Sequence, residues 1–351
     1  MSEDATTEDA TTEDAAAEDA ATGEELLRAE HLTRHFRIGG ALSRRILHAV
    51  DDVSFAIRER EIVALAGESG SGKSTVARLL ARIYKPTSGA VSYRGRPVAE
   101  LRSRRDRLRY SGEVPMVFQD PFGSINPTFR VSHGVLRALK LHRPELSGNE
   151  RQAEAERVFD VVGLDADMMR RFPHELSGGQ RQRVGFAQAL ASQARLVLAD
   201  EPVSMLDVSI RIGLLNLMAK LRDTEGVSFL YITHDIASAR YVADRLIVMY
   251  AGQIAESGPI EEVLASPRHP YTQLLLSAVP DPRAPLHVGA ETDLGEPPRV
   301  IDPSPGCRFR WRCPLAIDKC SEITPALSDA GADREVACHV AQSGADVKAF
   351  T

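Results

Sequence analysis

The sequence lacks long apolar runs and any secretion pattern. Of its 351 residues 43% are apolar, enough for a sizeable core. No stretch approaches the ~18 uninterrupted apolar residues needed to cross a bilayer. The N-terminus has no basic segment followed by an apolar one, so we expect no signal peptide and no export. These absences predict a soluble chain that stays, by default, in the cytoplasm.

Basic residues are absent from positions 1–25, which hold ten acids in the five-residue repeat SEDAT, TEDAT, TEDAA, AEDAA. This segment has no large apolar groups to offset the entropy lost on ordering, so we predict a disordered tail over 1–25. A solvated tail is favoured over a docking segment. The rest of the chain has 39 acids and 43 bases, and this near balance gives no case for nucleic-acid binding.

Short apolar strands alternate with helices over residues 26–265, which we predict to be one domain. Residues 26–60 are strand-rich, and from about 125 to 192 the apolar residues have helical spacing. Two later runs, at 195–201 and 227–234, are typical of buried strands. The alternation predicts an α/β fold with a parallel sheet covered by helices.

Several local patterns give sharper predictions. Val53, Phe55 and Ile57 alternate as in a half-buried strand, and residues 246–258 resemble a hairpin. In the helical region, apolar side chains recur at i, i+3, i+4 and i+7. These are Ala155, Val158, Phe159 and Val162.

The character of the chain changes past residue 266, where we place a boundary. Residues 269–279 predict one more helix, and a proline-rich stretch follows to Pro305. All four cysteines lie beyond it, between 307 and 338. We therefore predict a cysteine-containing C-terminal extension over 266–351.

The segment GESGSGKST matches G-x-x-x-x-G-K-[ST] and lies between a predicted strand and helix. Glycines allow backbone N–H groups to approach phosphates, and the helix start adds a positive dipole. Lys73 should reach the β- and γ-phosphates, and Ser74 should bind Mg²⁺. A plain glycine-rich turn is the alternative; the flanking elements favour ATP or GTP. The predicted contacts are Gly67, Glu68, Ser69, Gly70, Ser71, Gly72, Lys73, Ser74 and Thr75.

Two further motifs lie downstream. LSGGQ, at 176–180, opens a helical segment and predicts a second anion-binding surface. One chain does not need two phosphate sites for one nucleotide, so this surface should serve a nucleotide held by a partner. LVLADE ends in Asp200, a partner for Mg²⁺, and Glu201, which can polarise the attacking water. His234 ends the next strand and could contact the γ-phosphate.

The order of these motifs resembles the nucleotide-binding domain of ABC transporters over about residues 30–265. GESGSGKST resembles the Walker A motif, LSGGQ the signature and LVLADE the Walker B motif, while SMLD (204–207) resembles the D-loop. The resemblance implies that Gln119, in VFQDP, is a Q-loop residue and Mg²⁺ ligand. It also implies that Phe36 stacks on adenine, although a core phenylalanine is an alternative.

This resemblance implies a P-loop ABC ATPase fold, with a mostly parallel sheet core, an antiparallel β subdomain and a helical subdomain. It implies that Lys73, Gln119, Glu201 and His234 act in catalysis. Two such domains would close head to tail around ATP and Mg²⁺. The signature residues that would complete the partner's site are Ser177, Gly178, Gly179 and Gln180. Val203, Met205 and Gln188 depart from the family pattern without removing a phosphate, metal or water contact.

Three segments resemble the ATPases of oligopeptide and dipeptide importers: QDPFGSINP (119–127), SPRHPYTQLLLSAVP (266–280) and GCRFRWRCPLAIDKC (306–320). The resemblance implies a different second ATPase subunit, two membrane-spanning permease subunits and an extracytoplasmic binding protein. The chain would then lie on the cytoplasmic face of the membrane. Peptides are the favoured cargo, and relatives carry oligosaccharides or nickel. The single cassette disfavours a soluble ABC protein of translation or DNA repair. The presence of Glu201 and His234 disfavours a regulatory subunit with little turnover.

The cysteines Cys307, Cys313, Cys320 and Cys338 allow several interpretations. Disulfides are disfavoured in a cytoplasmic protein. A structural zinc site remains open, although the spacings lack tight C-x₂₋₄-C pairs. Unliganded thiols also remain open. Four thiolates also suit a [4Fe–4S] cluster, whose charge the nearby arginines could offset. Some members of the importer family carry such a cluster in this extension, and the resemblance therefore favours it.

Overall fold

We describe the chain from a computed structural model. It describes residues 23–39, 44–120, 123, 125–277, 300–345 and 347–350. Most of the predicted tail lies outside these ranges, but its last two residues, Glu24 and Glu25, are part of the fold. The carbonyl of Glu24 accepts a 2.9 Å hydrogen bond from Glu59 N, and Glu25 begins a strand opposite Arg58. Backbone pairing therefore orders these two acids.

Strands and helices alternate along the described chain. The strands are β1 Glu25–Arg37, β2 Ile46–Arg58, β3 Ile62–Ala66, β4 Ser88–Tyr93, β5 Arg96–Pro97, β6 Met116–Val117, β7 Leu196–Asp200, β8 Ser228–Thr233, β9 Arg245–Tyr250, β10 Gln253–Pro259, β11 Ser328–Gly331 and β12 Arg334–Val336. The α-helices are α1 Lys73–Leu80, α2 Arg104–Glu113, α3 Val131–His142, α4 Gly148–Val161, α5 Gly178–Ala191, α6 Val208–Glu225, α7 Ile236–Val242, α8 Ile260–Ala265, α9 Pro270–Ser277, α10 Asp318–Glu322 and α11 His339–Gln342.

Two sheets form within the described residues. A four-stranded antiparallel sheet has the order β2-β1-β4-β5, and an eight-stranded sheet has the order β11-β12-β10-β9-β3-β8-β7-β6. In the larger sheet β6, β7, β8, β3 and β9 run parallel, and β10, β12 and β11 continue antiparallel. The predicted α/β fold with a mostly parallel core is confirmed, as is the hairpin, which is β9–β10.

Each face of the larger sheet buries its own core. Val63 and Leu65 of β3 pack with α1 and the antiparallel sheet, whereas Ile62, Ala64 and Ala66 pack with the helices on the other face. This period of two is the pleat of a strand that is buried on both sides. The alternating strand residues predicted in β2 lie in the first core.

The predicted helical part is confirmed by α3, α4 and α5. The apolar residues predicted to recur along α4 are completely buried in the second core. Helix α4 begins at a capping box in which Ser147 Oγ accepts from Glu150 N and the Glu150 carboxylate accepts from Ser147 N. Among the described residues, the helices are all too short or too polar to cross a bilayer.

The extension predicted from residue 266 completes the large sheet. Strand β12 pairs with β10 through Glu256 opposite Val336 and Ser257 opposite Glu335. Arg334 donates to the Glu256 carboxylate at 2.7 Å, and both side chains are buried. The sheet therefore crosses the predicted boundary, because a buried carboxylate on β10 needs a cation that the extension supplies.

Candidate active site

The glycine-rich loop joins β3 to α1, as the sequence predicts. Gly67 and Gly72 have φ values of 149° and 105°. A Cβ at Gly67 would lie 2.2 Å from Met249 O, and one at Gly72 would lie 2.3 Å from Ala49 O. Both the backbone conformation and the close approach therefore require glycine.

Lys73 lies inside this loop and is only 5% exposed. Its Nζ donates to Gly67 O at 2.6 Å and to Glu68 O at 2.8 Å. Burial lowers the pKa of Lys73, while the carboxylates of Glu201, Asp200 and Glu68 act in the opposite direction. A buried ammonium surrounded by loop carbonyls is suited to exchange these contacts for phosphate oxygens.

Ser74 and Asp200, predicted to bind one Mg²⁺, lie together. Ser74 Oγ donates to Asp200 Oδ1 at 2.8 Å, and Asp200 ends β7. Burial raises the pKa of Asp200, and the Ser74 hydrogen bond opposes this shift. Hydroxyl and carboxylate oxygens are ligands that Mg²⁺ prefers, and the ion would compensate the buried charge. These two residues therefore fit the metal.

Glu201 is contacted by two of the three other residues predicted to act in catalysis, Gln119 and His234. Gln119 Nε2 donates to Glu201 Oε2 at 3.0 Å, and His234 Nδ1 lies 3.3 Å from Glu201 Oε1. Glu201 has φ 47° and its N–H donates to Ile232 O at 3.0 Å. A non-glycine residue in the left-handed region is strained, and such strain is common at functional sites. Gln119, predicted as a Mg²⁺ ligand, thus contacts the acid Glu201 directly.

One cleft of about 1340 Å³ is lined by these groups except Asp200, which reaches it through its hydrogen bond with Ser74. Phe36 lines it and is half-buried, outside either core, so the alternative of a core phenylalanine is wrong. Tyr84 lies edge-on to the Phe36 ring at a centroid distance of 5.4 Å. The Arg34 guanidinium carbon lies 4.5 Å from the centroid of the Phe36 ring. The aromatic pair gives the cleft a flat, apolar end.

The signature segment lies apart from this cleft. Ser177 caps α5: its Oγ accepts from Gln180 N at 3.3 Å, and its own N–H donates to Gln180 Oε1 at 2.9 Å. Residues 177–180 do not line the cleft in the described part of the chain. The structure thus brings the other predicted site residues together but leaves the signature on a different surface.

Sequence reasoning missed one wall of the cleft. Tyr250, Val300 and Ile301 line it, and the last two come from the extension. Arg312 and Tyr271, also from the extension, contact Glu68 of the loop. Two segments that resemble the importer ATPases marked this region, because Tyr271 lies in SPRHPYTQLLLSAVP and Arg312 in GCRFRWRCPLAIDKC.

The four cysteines are free thiols; Cys307 and Cys313 are half-buried, and Cys320 and Cys338 are buried. The pKa values of Cys307 and Cys313 are raised to about 11, chiefly by burial and in smaller part by negative charge on neighbouring cysteines, among them Cys320 and Cys338. Cys307 N donates to Cys320 O at 2.8 Å. The extension therefore gathers thiols that are far apart in sequence.

One further group of possible metal ligands is found among the described residues. His35, His48 and Asp51 have ligand atoms within 4.8 Å of one another. Arg308 already donates to the Asp51 carboxylate. Since a guanidinium opposes a second cation at the same oxygen, this group is better explained as a hydrogen-bonded cluster.

Two protein families match the chain. The family described as ABC transporter matches residues 50–204, and the family described as oligopeptide/dipeptide transporter, C-terminal region, matches residues 255–320. The putative oligopeptide transport ATP-binding protein YkfD of Bacillus subtilis is 40% identical over 317 residues, which cover 90% of this chain and 95% of the relative. The probable peptide ABC transporter ATP-binding protein y4tS of Sinorhizobium fredii is 43% identical over 324 residues, 90% of each chain.

Solved structures show the same fold. The dimeric ATP-binding cassette MJ0796, bound to ADP and Pi, superposes with a TM-score of 0.60 at 28% identity. The match covers 67% of this chain and 99% of that chain. A cassette of that kind therefore accounts for about two thirds of the present molecule.

Proposed function

This chain belongs to the ATP-binding subunits of ABC transporters, and on that premise we propose that it hydrolyses ATP to power the uptake of oligopeptides or dipeptides. One observation carries the proposal: a single cleft is lined by Lys73, by Ser74, which hydrogen-bonds Asp200, and by Glu201 with its two partners. The named relatives are described as peptide transport proteins, which supports the cargo. The family match at 255–320 supports it independently.

The residues divide the chemistry as follows. The loop N–H groups and Lys73 bind the triphosphate, and Phe36 stacks on the adenine. Ser74, Gln119 and Asp200 hold Mg²⁺, which neutralises charge on the phosphates. Glu201 accepts a proton from the attacking water, while His234 and Gln119 hold its carboxylate in place.

The complete site needs a second ATPase subunit. The first N–H groups of α5, at Gly178 and Gly179, have no carbonyl partners within the helix and suit a phosphate. Because this surface lies outside the chain's own cleft, it serves the nucleotide bound by the partner. Two permease subunits and an extracytoplasmic binding protein complete the importer, with this chain on the cytoplasmic face of the membrane.

Nucleotide cross-linking in the purified transporter tests the two-subunit site. A photoreactive ATP analogue should label both the phosphate loop of one ATPase subunit and the signature segment of the other. Labelling of a single subunit in the ATP-trapped state would contradict the proposal. Peptide-stimulated ATPase activity, absent with oligosaccharide or nickel and their binding proteins, tests the cargo.

A [4Fe–4S] cluster bound by Cys307, Cys313, Cys320 and Cys338 is part of the proposal. A tetrahedral zinc with Zn–S bonds of about 2.3 Å needs sulfurs closer than about 4 Å. Among the described residues, no three cysteine sulfurs lie within 4.8 Å of one another. A four-iron cluster takes each thiolate on a different iron, and the thiols of Cys307 and Cys313 each interact electrostatically with those of Cys320 and Cys338.

The metal content of anaerobically purified protein tests this assignment. Iron and sulfide should be present at about four each per chain, with visible absorbance that Cys313→Ser abolishes. Colourless protein that contains one zinc, or no metal, would overturn it. The measurement does not depend on ATPase activity.

A further inference from the structure

The extension forms an ion pair with the phosphate loop. Arg312 donates through Nη1 and Nη2 to Glu68 Oε2 and Oε1, at 2.8 and 2.9 Å. This two-pronged geometry is the strongest form of the arginine–carboxylate contact. The Arg312 side chain is 10% exposed and that of Glu68 25%, so solvent screens the pair only in part.

Glu68 is held at its backbone as well. Its N–H donates to the hydroxyl of Tyr271 at 2.8 Å, and its carbonyl accepts from Lys73 Nζ at 2.8 Å. Tyr271 is completely buried, so its hydroxyl position is fixed. Ser71 N also donates to the Glu68 carbonyl, at 3.2 Å. Of the four residues that hydrogen-bond Glu68, Arg312 and Tyr271 therefore come from beyond 266.

Arg312 is itself locked in place. Its guanidinium lies 5.8 Å from the ring centroids of Tyr250 and Phe309, and Nη1 is 3.4 Å from the Tyr250 hydroxyl. A fixed cation can hold a loop residue in one position without losing much side-chain entropy.

A second arginine, Arg308, anchors the same segment to β2 and to the turn after β9. Arg308 donates to the carboxylate of Asp51 in β2 and to the carbonyl of Ala251. The chain before it pairs with β2, where His48 N donates to Val300 O at 2.8 Å. The extension is thus attached to the cassette through Val300 and Arg308 as well as through Arg312.

We propose that Arg312 is a positioning residue for nucleotide binding, acting through Glu68. Glu68 lines the cleft, where an unpaired carboxylate would repel the phosphates of ATP. Arg312 neutralises this charge and fixes the first turn of the loop, which pre-organises its N–H groups. The inference rests on the nucleotide site proposed above and adds to it a residue from outside the cassette.

Nucleotide affinity of the complete transporter tests this role. Arg312→Gln should weaken ADP and ATP binding by about fivefold or more, while kcat at saturating ATP changes by less than about twofold. Arg312→Lys, which keeps the charge but not the fork, should be intermediate. Lys319→Gln removes an exposed charge from the same extension and should bind like the wild type.

The double variant Glu68→Gln/Arg312→Gln isolates the electrostatic part. It should bind nucleotide more tightly than Arg312→Gln alone, because no unpaired carboxylate remains. Equal affinity for Arg312→Gln and Lys319→Gln would overturn the proposal. A second combination of results would also overturn it. In that combination, the double variant binds nucleotide no more tightly than Arg312→Gln, and Arg312→Lys binds it with wild-type affinity.

Lys73→Ala separates this inference from the proposed site. If that variant keeps wild-type nucleotide affinity, the site itself is wrong. If it loses affinity while Arg312→Gln retains it, only the positioning role is wrong. Thermal unfolding without nucleotide checks that the arginine variants fold, and Arg312→Lys carries the test should Arg312→Gln fail to do so.

Discussion

His234 Nδ1 lies 3.3 Å from Glu201 Oε1, and Gln119 Nε2 donates to the other oxygen of the same carboxylate, Glu201 Oε2. The three residues come from different segments, and Glu201 is held in a left-handed backbone conformation. The carboxylate can therefore change its partners only if one of these segments moves. The proposed general base is thus hydrogen-bonded or ion-paired to Gln119 and His234, two side chains that line the proposed phosphate site.

Glu201→Gln should retain ATP binding and lose turnover by about a hundredfold or more, because an amide cannot accept the proton of water. Equilibrium binding and steady-state hydrolysis by the purified transporter measure both effects. Glu262→Gln, an exposed acid of α8, is the control and should behave like the wild type. Normal turnover by Glu201→Gln would remove its assigned role.

Phe36→Ala should weaken ATP binding by about fivefold or more, since stacking on an aromatic ring contributes about 1–3 kcal/mol per base. Phe36→Tyr keeps a ring against Tyr84 and should bind normally. Titration with a fluorescent ATP analogue gives the affinities. Phe129→Ala, which removes a ring elsewhere, should leave them unchanged, and unchanged binding by Phe36→Ala would contradict the stacking role.

Gly178→Asp should abolish turnover by the assembled transporter while this chain still binds ATP. The new carboxylate would face the phosphates of the partner's nucleotide. Gly148→Asp is a matched control, because Gly148 is also the first residue of a helix and open space surrounds it. Turnover measured on both variants decides the matter; activity in Gly178→Asp would exclude the two-subunit site.

His269 should make stability depend on pH. Burial lowers its pKa from 6.5 to about 4, and its Nδ1 accepts from Tyr271 N at 3.0 Å. Above pH 6.5 both folded and unfolded states are neutral. As the pH falls towards 4 only the unfolded state binds a proton, so the free energy of unfolding decreases by about 3 kcal/mol.

Denaturant titrations between pH 6.5 and pH 4 test this expectation. His269→Gln should flatten the dependence, whereas His174→Gln, at an exposed histidine, should not. Parallel curves for His269→Gln and the wild type would show that another group is responsible.

Arg334→Met should lower the free energy of unfolding by about 3 kcal/mol or more, since it leaves the Glu256 carboxylate buried without its cation. Chemical denaturation measures the loss. The double variant Glu256→Leu/Arg334→Met removes both charges and should recover part of it. A single variant as stable as the wild type would show that the pair contributes nothing to the sheet.

Much of the cassette follows from its sequence, because its signals are local. The loop at 67–75 lies between a strand and a helix, and the alternation in β2 and the periodicity of α4 indicate their buried faces. The alternative of a core role for Phe36 was wrong, since periodicity does not distinguish a core from the wall of a cleft.

The extension could not be predicted in the same way. Strands β11 and β12 are four and three residues long and carry no alternation that would identify them. The contact between Arg312 and Glu68 spans 244 positions, and nothing local in either segment indicates the other. The helix α2 was also missed, because its sequence RRDRLRYSGE has little apolar periodicity and depends on the Ser103 cap.

The pairing of β12 with β10 has a consequence for synthesis. Glu256 and Arg334 are 78 positions apart, so a chain made from its N-terminus presents β10 before its neighbour exists. Through that interval β10 has an open edge, whose unpaired backbone groups can pair with other chains, and an unneutralised carboxylate, which opposes such pairing. The edge of β10 and the charge of Glu256 are therefore satisfied only after Arg334 and its strand have been made.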